Sequence, residues 1–145
     1  MQTKSFLDGI DQARVTAAIR AAEACSRGEI RVHVTEREVG DPEGAAAAQF
    51  EALGMTATRE RNGILFYIAP RSQRFAVVGD TGIHTRCGPD FWRDVAQAMA
   101  EDFRAGRFTD GIVKGIAKAG DVLAAHFPRA EGCDINELSD IVSHD

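Results

Sequence analysis

Long apolar runs are missing from this 145-residue chain. The longest, Ile64 to Ala69, falls far short of the roughly 20 residues a membrane-crossing helix needs. The first residues carry no apolar stretch and place Asp8 and Asp11 early, so neither a signal peptide nor a transmembrane segment is expected. Cysteine is scarce. Cys25, Cys87 and Cys133 are odd in number and widely spaced, which excludes a disulfide framework or a Cys-x-x-Cys pair. A reducing, cytoplasmic setting fits that usage. No basic block exists: 17 basic and 22 acidic side chains give a net charge of −5, and the arginines are scattered. A nucleic-acid partner, which calls for a concentrated positive face, is therefore not expected. Glycine-rich dinucleotide loops, a phosphate-loop lysine and a Gly-x-Ser-x-Gly elbow are all absent.

What is there is ordinary globular composition, 44% hydrophobic and 27% charged, in a length that suits one domain. The chain reads as one domain over 1–145, with a core over 8–128 and a short helix over 134–142. Val15, Ile19 and Ala22 recur with helical period, predicting a helix over 8–27 that Asp8 or Asp11 caps and Gly28 closes in a left-handed conformation. Glu29 to Thr35 alternates as a half-buried strand, with Ile30, Val32 and Val34 inward and Arg31 and His33 toward solvent. Asp41-Pro42-Glu43 opens a helix that runs through Phe50 to Leu53 and ends at Gly54. Residues 56–62 read as a polar linker.

The apolar run Ile64–Ala69 predicts a central strand, and Phe75–Val78 the next. So short a turn between them forces an antiparallel hairpin over about 63–79, with Ala69 opposite Arg74 and Asn62 level with Thr81. Gly79-Asp80-Thr81-Gly82 breaks the second strand. Helices follow over 91–104 and from a Thr109 cap to Phe127-Pro128. The expected fold is α/β, a three-layer α/β/α sandwich with a mixed sheet of about four strands. Cys25 is assigned to the core, His33 to the surface, and Phe91-Trp92 to a helix anchor.

That hairpin register carries the most chemistry. It brings Asn62-Gly63 and Gly79-Asp80 to one end of the sheet, with Asp90 at the mouth of the next helix. Asn62, Asp80 and Asp90 could then share a crevice whose oxygen donors suit a hard cation, Ca²⁺ or Mg²⁺. Asp80-Thr81-Gly82 also reads as a plain turn, its carboxylate bonded to its own backbone. His84-x-x-Cys87 has two zinc-capable side chains, but Cys133 and His126 lie outside motif spacing. No Asp-x-Asp-x-Thr follows the first strand, so the aspartate-nucleophile phosphatases are not matched.

The order of several pieces resembles the TPM domain family over about Ile10–Phe127. They are Arg27-Gly28-Glu29-Ile30-Arg31-Val32, Leu53-Gly54-Met55, Arg61-Asn62-Gly63-Ile64-Leu65, Arg74-Phe75-Ala76-Val77-Val78-Gly79-Asp80-Thr81-Gly82-Ile83, Phe91-Trp92, Gly106-Arg107-Phe108 and His126-Phe127-Pro128. The tail Asp134-Ile135-Asn136-Glu137-Leu138 resembles that of short bacterial members. The resemblance implies the same sandwich and a metal-binding crevice described for Ca²⁺, with Asn62 and Asp80 at matching loop positions and Asp90 nearby. It implies an accessory or interaction module without proven catalysis, whose partner is another protein, membrane-associated or not. The alternative it carries is a metal-dependent acid phosphatase acting on phosphate monoesters, proposed for plant members. The chain departs from the anchored members in lacking a signal peptide and a C-terminal membrane helix, and in having Gly-Asp-Thr-Gly where many have Gly-Tyr-Gly.

Overall fold

The computed structural model describes residues 2–88, 90–128 and 143–144. Six α-helices and a mixed sheet make up those residues, an α/β fold. Two short helices come first, α1 (Thr3–Gly9) and α2 (Gln12–Ala24). One continuous helix over 8–27 was expected. Ile10 and Asp11 are extended instead, and the Asp11 carboxylate accepts the Arg14 N–H at 3.1 Å to start a second helix. Strand β1 (Glu29–Val34) follows, then α3 (Pro42–Ala52). Asp41 caps α3 through the Gly44 N–H, and Gly54, at φ 70°, turns the chain out of it as expected.

Strands β2 (Gly63–Ala69) and β3 (Arg74–Gly79) form the antiparallel hairpin, in the expected register of Ala69 against Arg74. One 3₁₀ turn, Pro70–Ser72, and a left-handed Gln73 close it. β1 runs parallel to β2, so α3 is the crossover of a β-α-β unit. About four strands were expected; three full strands form the sheet, and a two-residue segment, β4 (Ser143–His144), pairs alongside β1. The order is β3-β2-β1-β4.

Helix α4 (Thr81–Cys87) occupies a stretch whose opening was expected to be a simple break. Its glycine-rich start hides it, because Gly82 and Asp80 score as turn residues while Asp80 in fact caps the helix. α5 (Asp90–Arg104) and α6 (Phe108–His126) complete the described elements. Thr109 does not cap α6; its hydroxyl accepts the Asp11 N–H at 3.1 Å and ties α6 to α2. The helix expected over 134–142 and Cys133 lie outside the described residues.

Alternation in β2 sends side chains to two apolar clusters. Ile64, Phe66 and Ile68 join Ile30, Val32 and Val34 beneath α2, α5 and α6. Leu65, Tyr67 and Ala69 meet Ala46 and Phe50 of α3, with Met55. This burial on both faces explains why β2 reads as an unbroken apolar run. It also overturns the surface assignment of His33, which is 3% exposed and stacked on Tyr67 at 5.8 Å. Cys25, assigned to the core, is exposed at the C-cap of α2. Gly28 is not a left-handed cap. A Cβ there would lie 2.5 Å from Leu123 Cδ2, so the residue is small because α6 passes against it.

Candidate functional site

Three turns meet at one end of the sheet: the α2–β1 turn, the approach to β2, and the β3–α4 junction. Backbone bonds clip the last two together. The Asp80 N–H donates to the Gly63 carbonyl at 3.0 Å, and the Gly82 N–H to that of Arg61 at 2.9 Å. The hairpin register thus does bring Asn62-Gly63 beside Gly79–Gly82. Gly82 is required here, since a Cβ would run into the Glu60 and Arg61 carbonyl oxygens.

The side chains engage different partners. Asp80 is buried at the N-cap of α4, where one carboxylate oxygen accepts the Thr81 N–H at 2.7 Å. The other accepts Nε–H of Arg61 at 2.7 Å. Arg61 is half exposed, and its hydrogen bond and charge pairing with Asp80 make its guanidinium hold its proton more firmly than usual. Asn62 is buried at 1% exposure. Its Nδ2 donates to the Arg27 carbonyl at 3.1 Å, while the Glu29 N–H donates to its own carbonyl at 3.4 Å. Its Oδ1 is buried and has no hydrogen-bond partner among the described residues. An orphaned acceptor of this kind calls for a ligand or a compensating role. Arg27 reaches across to Glu60 at 3.1 Å, a further stitch between two of the turns.

Asp90 is exposed in the first turn of α5, and its side chain makes no hydrogen bond or ion pair among the described residues. Among those residues no three His, Cys, Asp or Glu side chains group as a metal ligand set. His84 and Cys87 both sit on α4. His84 Nδ1 accepts the indole N–H of Trp92 at 3.3 Å, which ties the anchor residue to the helix. Burial pushes the Cys87 thiol above its ordinary range, with Arg86 pulling weakly the other way.

Two features escaped the sequence. Asp102 of α5 is buried at 3% exposure, paired with Lys114 at 3.0 Å and Arg107 at 2.9 Å. Hydrogen bonds from these two cations hold its carboxyl below the ordinary value of 3.8. The spacing of Arg107, five residues on, and Lys114, on the next helix, gave no local signal. The second is the polar row of β1: Glu29, His33 and Thr35 are all buried on the sheet face that α3 shares. Alternation had placed His33 of this row toward solvent.

The profile of one protein family, the TPM domain, matches residues 1–122. The solved structure of the BA42 protein from Bizionia argentinensis is 37% identical, with a TM-score of 0.85 over 92% of each chain. The N-terminal domain of the cg2496 protein from Corynebacterium glutamicum is 16% identical, with a TM-score of 0.62, over 81% of this chain and 74% of that one. An N-terminal domain from P. gingivalis is 21% identical, also at 0.62, over 79% and 76%. These last two likenesses concern the fold alone. No curated protein matches the chain. Among the described residues no helix is long and apolar enough to cross a membrane.

Proposed function

The chain belongs to the TPM domain family, and from that premise we propose that it is a non-catalytic accessory module that binds a divalent cation and a protein partner. The cation is Ca²⁺ or Mg²⁺, taken where the 61–63 and 79–82 segments meet. One observation carries this reading: the Asn62 Oδ1, buried and without a partner among the described residues, stands one residue from Arg61, which pairs with the buried Asp80. Amide and carboxylate oxygens suit a hard cation, and water completes a coordination number of about 6–8 for Ca²⁺. Asp80 and Asn62 would hold the ion, with Asp90 as a further oxygen donor.

Arg61 sets the condition. Its guanidinium already neutralises Asp80, so a cation must displace it. Arg61 is free to leave, because its side chain is 48% exposed. Among the described residues the groups touching the Asp80 carboxylate are this guanidinium and a backbone amide. The acid-phosphatase alternative would use the same ion to activate water, and the net charge of −5 weighs against its anionic ester. Both described cysteines are free thiols, in keeping with a reducing, cytoplasmic setting, and the two apolar clusters support a three-layer α/β/α arrangement.

Two-dimensional NMR during Ca²⁺ and Mg²⁺ titration tests the proposal. Expected are shifts confined to 61–63, 79–82 and Asp90, absent in Asp80→Asn and reached at lower metal concentration in Arg61→Gln. No shifts at millimolar metal in wild type and Arg61→Gln would remove the cation from the reading. Metal-dependent hydrolysis of an aryl phosphate, lost in Asp80→Asn, would replace it with the phosphatase.

A further inference from the structure

Among the described residues β3 is an edge strand, paired only with β2. Because the Asp80 N–H bonds to the Gly63 carbonyl, residues 74, 76, 78 and 80 direct their backbone groups toward β2. The alternate residues Phe75, Val77 and Gly79 therefore turn N–H and C=O outward, and none of these groups has a partner among the described residues. Such an edge is a template for another strand.

The edge is also recessed. A groove of about 820 Å³ runs along it, walled by the start of α3 and by Trp92, Ala96 and Ala100 of α5. It adjoins a second hollow of about 520 Å³, which shares Phe75, Ala100 and Arg104 and is lined by Phe6 and Phe108.

Charge fixes the kind of strand. Arg93 and Arg104, both exposed, face the groove from α5. Neither has a hydrogen bond, ion pair or ring contact among the described residues. Among the described residues of the lining the one carboxylate is Glu43, on the α3 wall. Two unpaired guanidiniums in a protein of net charge −5 are a local reversal of sign. Eleven positions on a helix span about 16 Å, and four residues of strand span about 13 Å. Long side chains bridge the difference.

We propose that the β3 edge groove binds an extended acidic peptide segment of a partner protein by strand addition. Backbone pairing falls on Phe75, Val77 and Gly79, and carboxylates about four residues apart on the peptide meet Arg93 and Arg104. Apolar side chains between them lie on Trp92, Ala96 and Ala100. This names the partner class for the interaction module above. It is independent of the cation, so the test is run in EDTA, and a failed calcium titration leaves it standing.

The probe is a blocked nine-residue peptide of alternating valine and threonine, beginning with valine, with glutamate in place of valine at its third and seventh positions so that the central valine lies between them (Val-Thr-Glu-Thr-Val-Thr-Glu-Thr-Val), set against its lysine counterpart. NMR is expected to show shifts at 75–79 and 92–104. The glutamate peptide is expected to bind at least tenfold more tightly. Arg93→Glu with Arg104→Glu, both surface changes, is expected to reverse that preference while leaving the circular dichroism spectrum unchanged. Val77→Pro, which removes one outward N–H from an edge strand, is expected to weaken both peptides. Equal affinity for the two peptides, shifts elsewhere, or no binding at millimolar peptide would overturn the proposal. So would a wild-type dimer in sedimentation that Val77→Pro dissociates, because the edge would then belong to a second copy.

Discussion

Replacing Leu123 and Gly28 together tests how α6 is seated. Leu123 is fully buried, and its Cγ, Cδ1 and Cδ2 stand 3.0, 2.7 and 2.5 Å from where a Cβ on Gly28 would be. Leu123→Ala removes those atoms from the main core and should destabilise by about 2–5 kcal/mol. Gly28→Ala forces a methyl into the same space. Overpacking costs roughly 1–3 kcal/mol, and lost freedom in the unfolded chain offsets it by about 0.4–1 kcal/mol. In the double variant the new methyl enters the space Leu123 vacated. The two changes should therefore be less than additive, by at least about 1 kcal/mol, as expected for residues in contact. Urea unfolding followed by circular dichroism at constant slope measures all four corners of the cycle. Additivity within about 0.5 kcal/mol, or a Gly28→Ala single variant more stable than wild type, would refute the close approach.

Gly82→Ala should also destabilise, because its Cβ meets backbone carbonyls that cannot rotate away; a Gly82 amide still protected from hydrogen exchange in the variant would contradict this. Asp102 has a lowered folded-state pKa, so its ion pairs contribute stability above about pH 4, the unfolded value, and lose it as pH falls through the folded one. Acid titration of unfolding should thus show a steeper loss of stability below pH 4 in wild type than in Asp102→Asn, and identical profiles would count against the pairing. With 5,5′-dithiobis(2-nitrobenzoate) near pH 8, exposed Cys25 should react well before Cys87, whose thiol burial keeps protonated; the reverse order, assigned by peptide mapping, would sink the burial argument.

How much was readable in advance depended on whether a signal was local. The β2–β3 register followed from a short turn between two apolar runs, and it came out residue for residue. The start of α3 was equally plain, because Asp41, Pro42 and Glu43 each have one natural place at a helix N-terminus. The misses share a cause in the third dimension. His33 sits in a polar slot of an alternating strand, and only the cover on that face and the ring of Tyr67 bury it. Gly28 looks like a helix end until α6, nearly a hundred residues on, is laid against it. Asp80 was also read as a turn carboxylate bonded to its own backbone, as its bond to the Thr81 N–H shows, but Arg61 was not read as its partner. Thr109 had the chemistry of a cap and spends it on the Asp11 amide instead.

The mixed sheet also sets an order in time. Ala69 and Arg74 pair across a five-position separation, whereas Ile30 and Ile64 are 34 positions apart. Closing the longer loop costs about 1.5–2 kcal/mol more in chain entropy. The hairpin is therefore the early nucleus, and β1 joins it only once α3 has turned the chain back. Pulse-labelling of amides during refolding would see 64–78 protected before 30–34. Until β1 arrives, the parallel flank of β2 stays open, so it is exposed for longer than the flank that β3 covers.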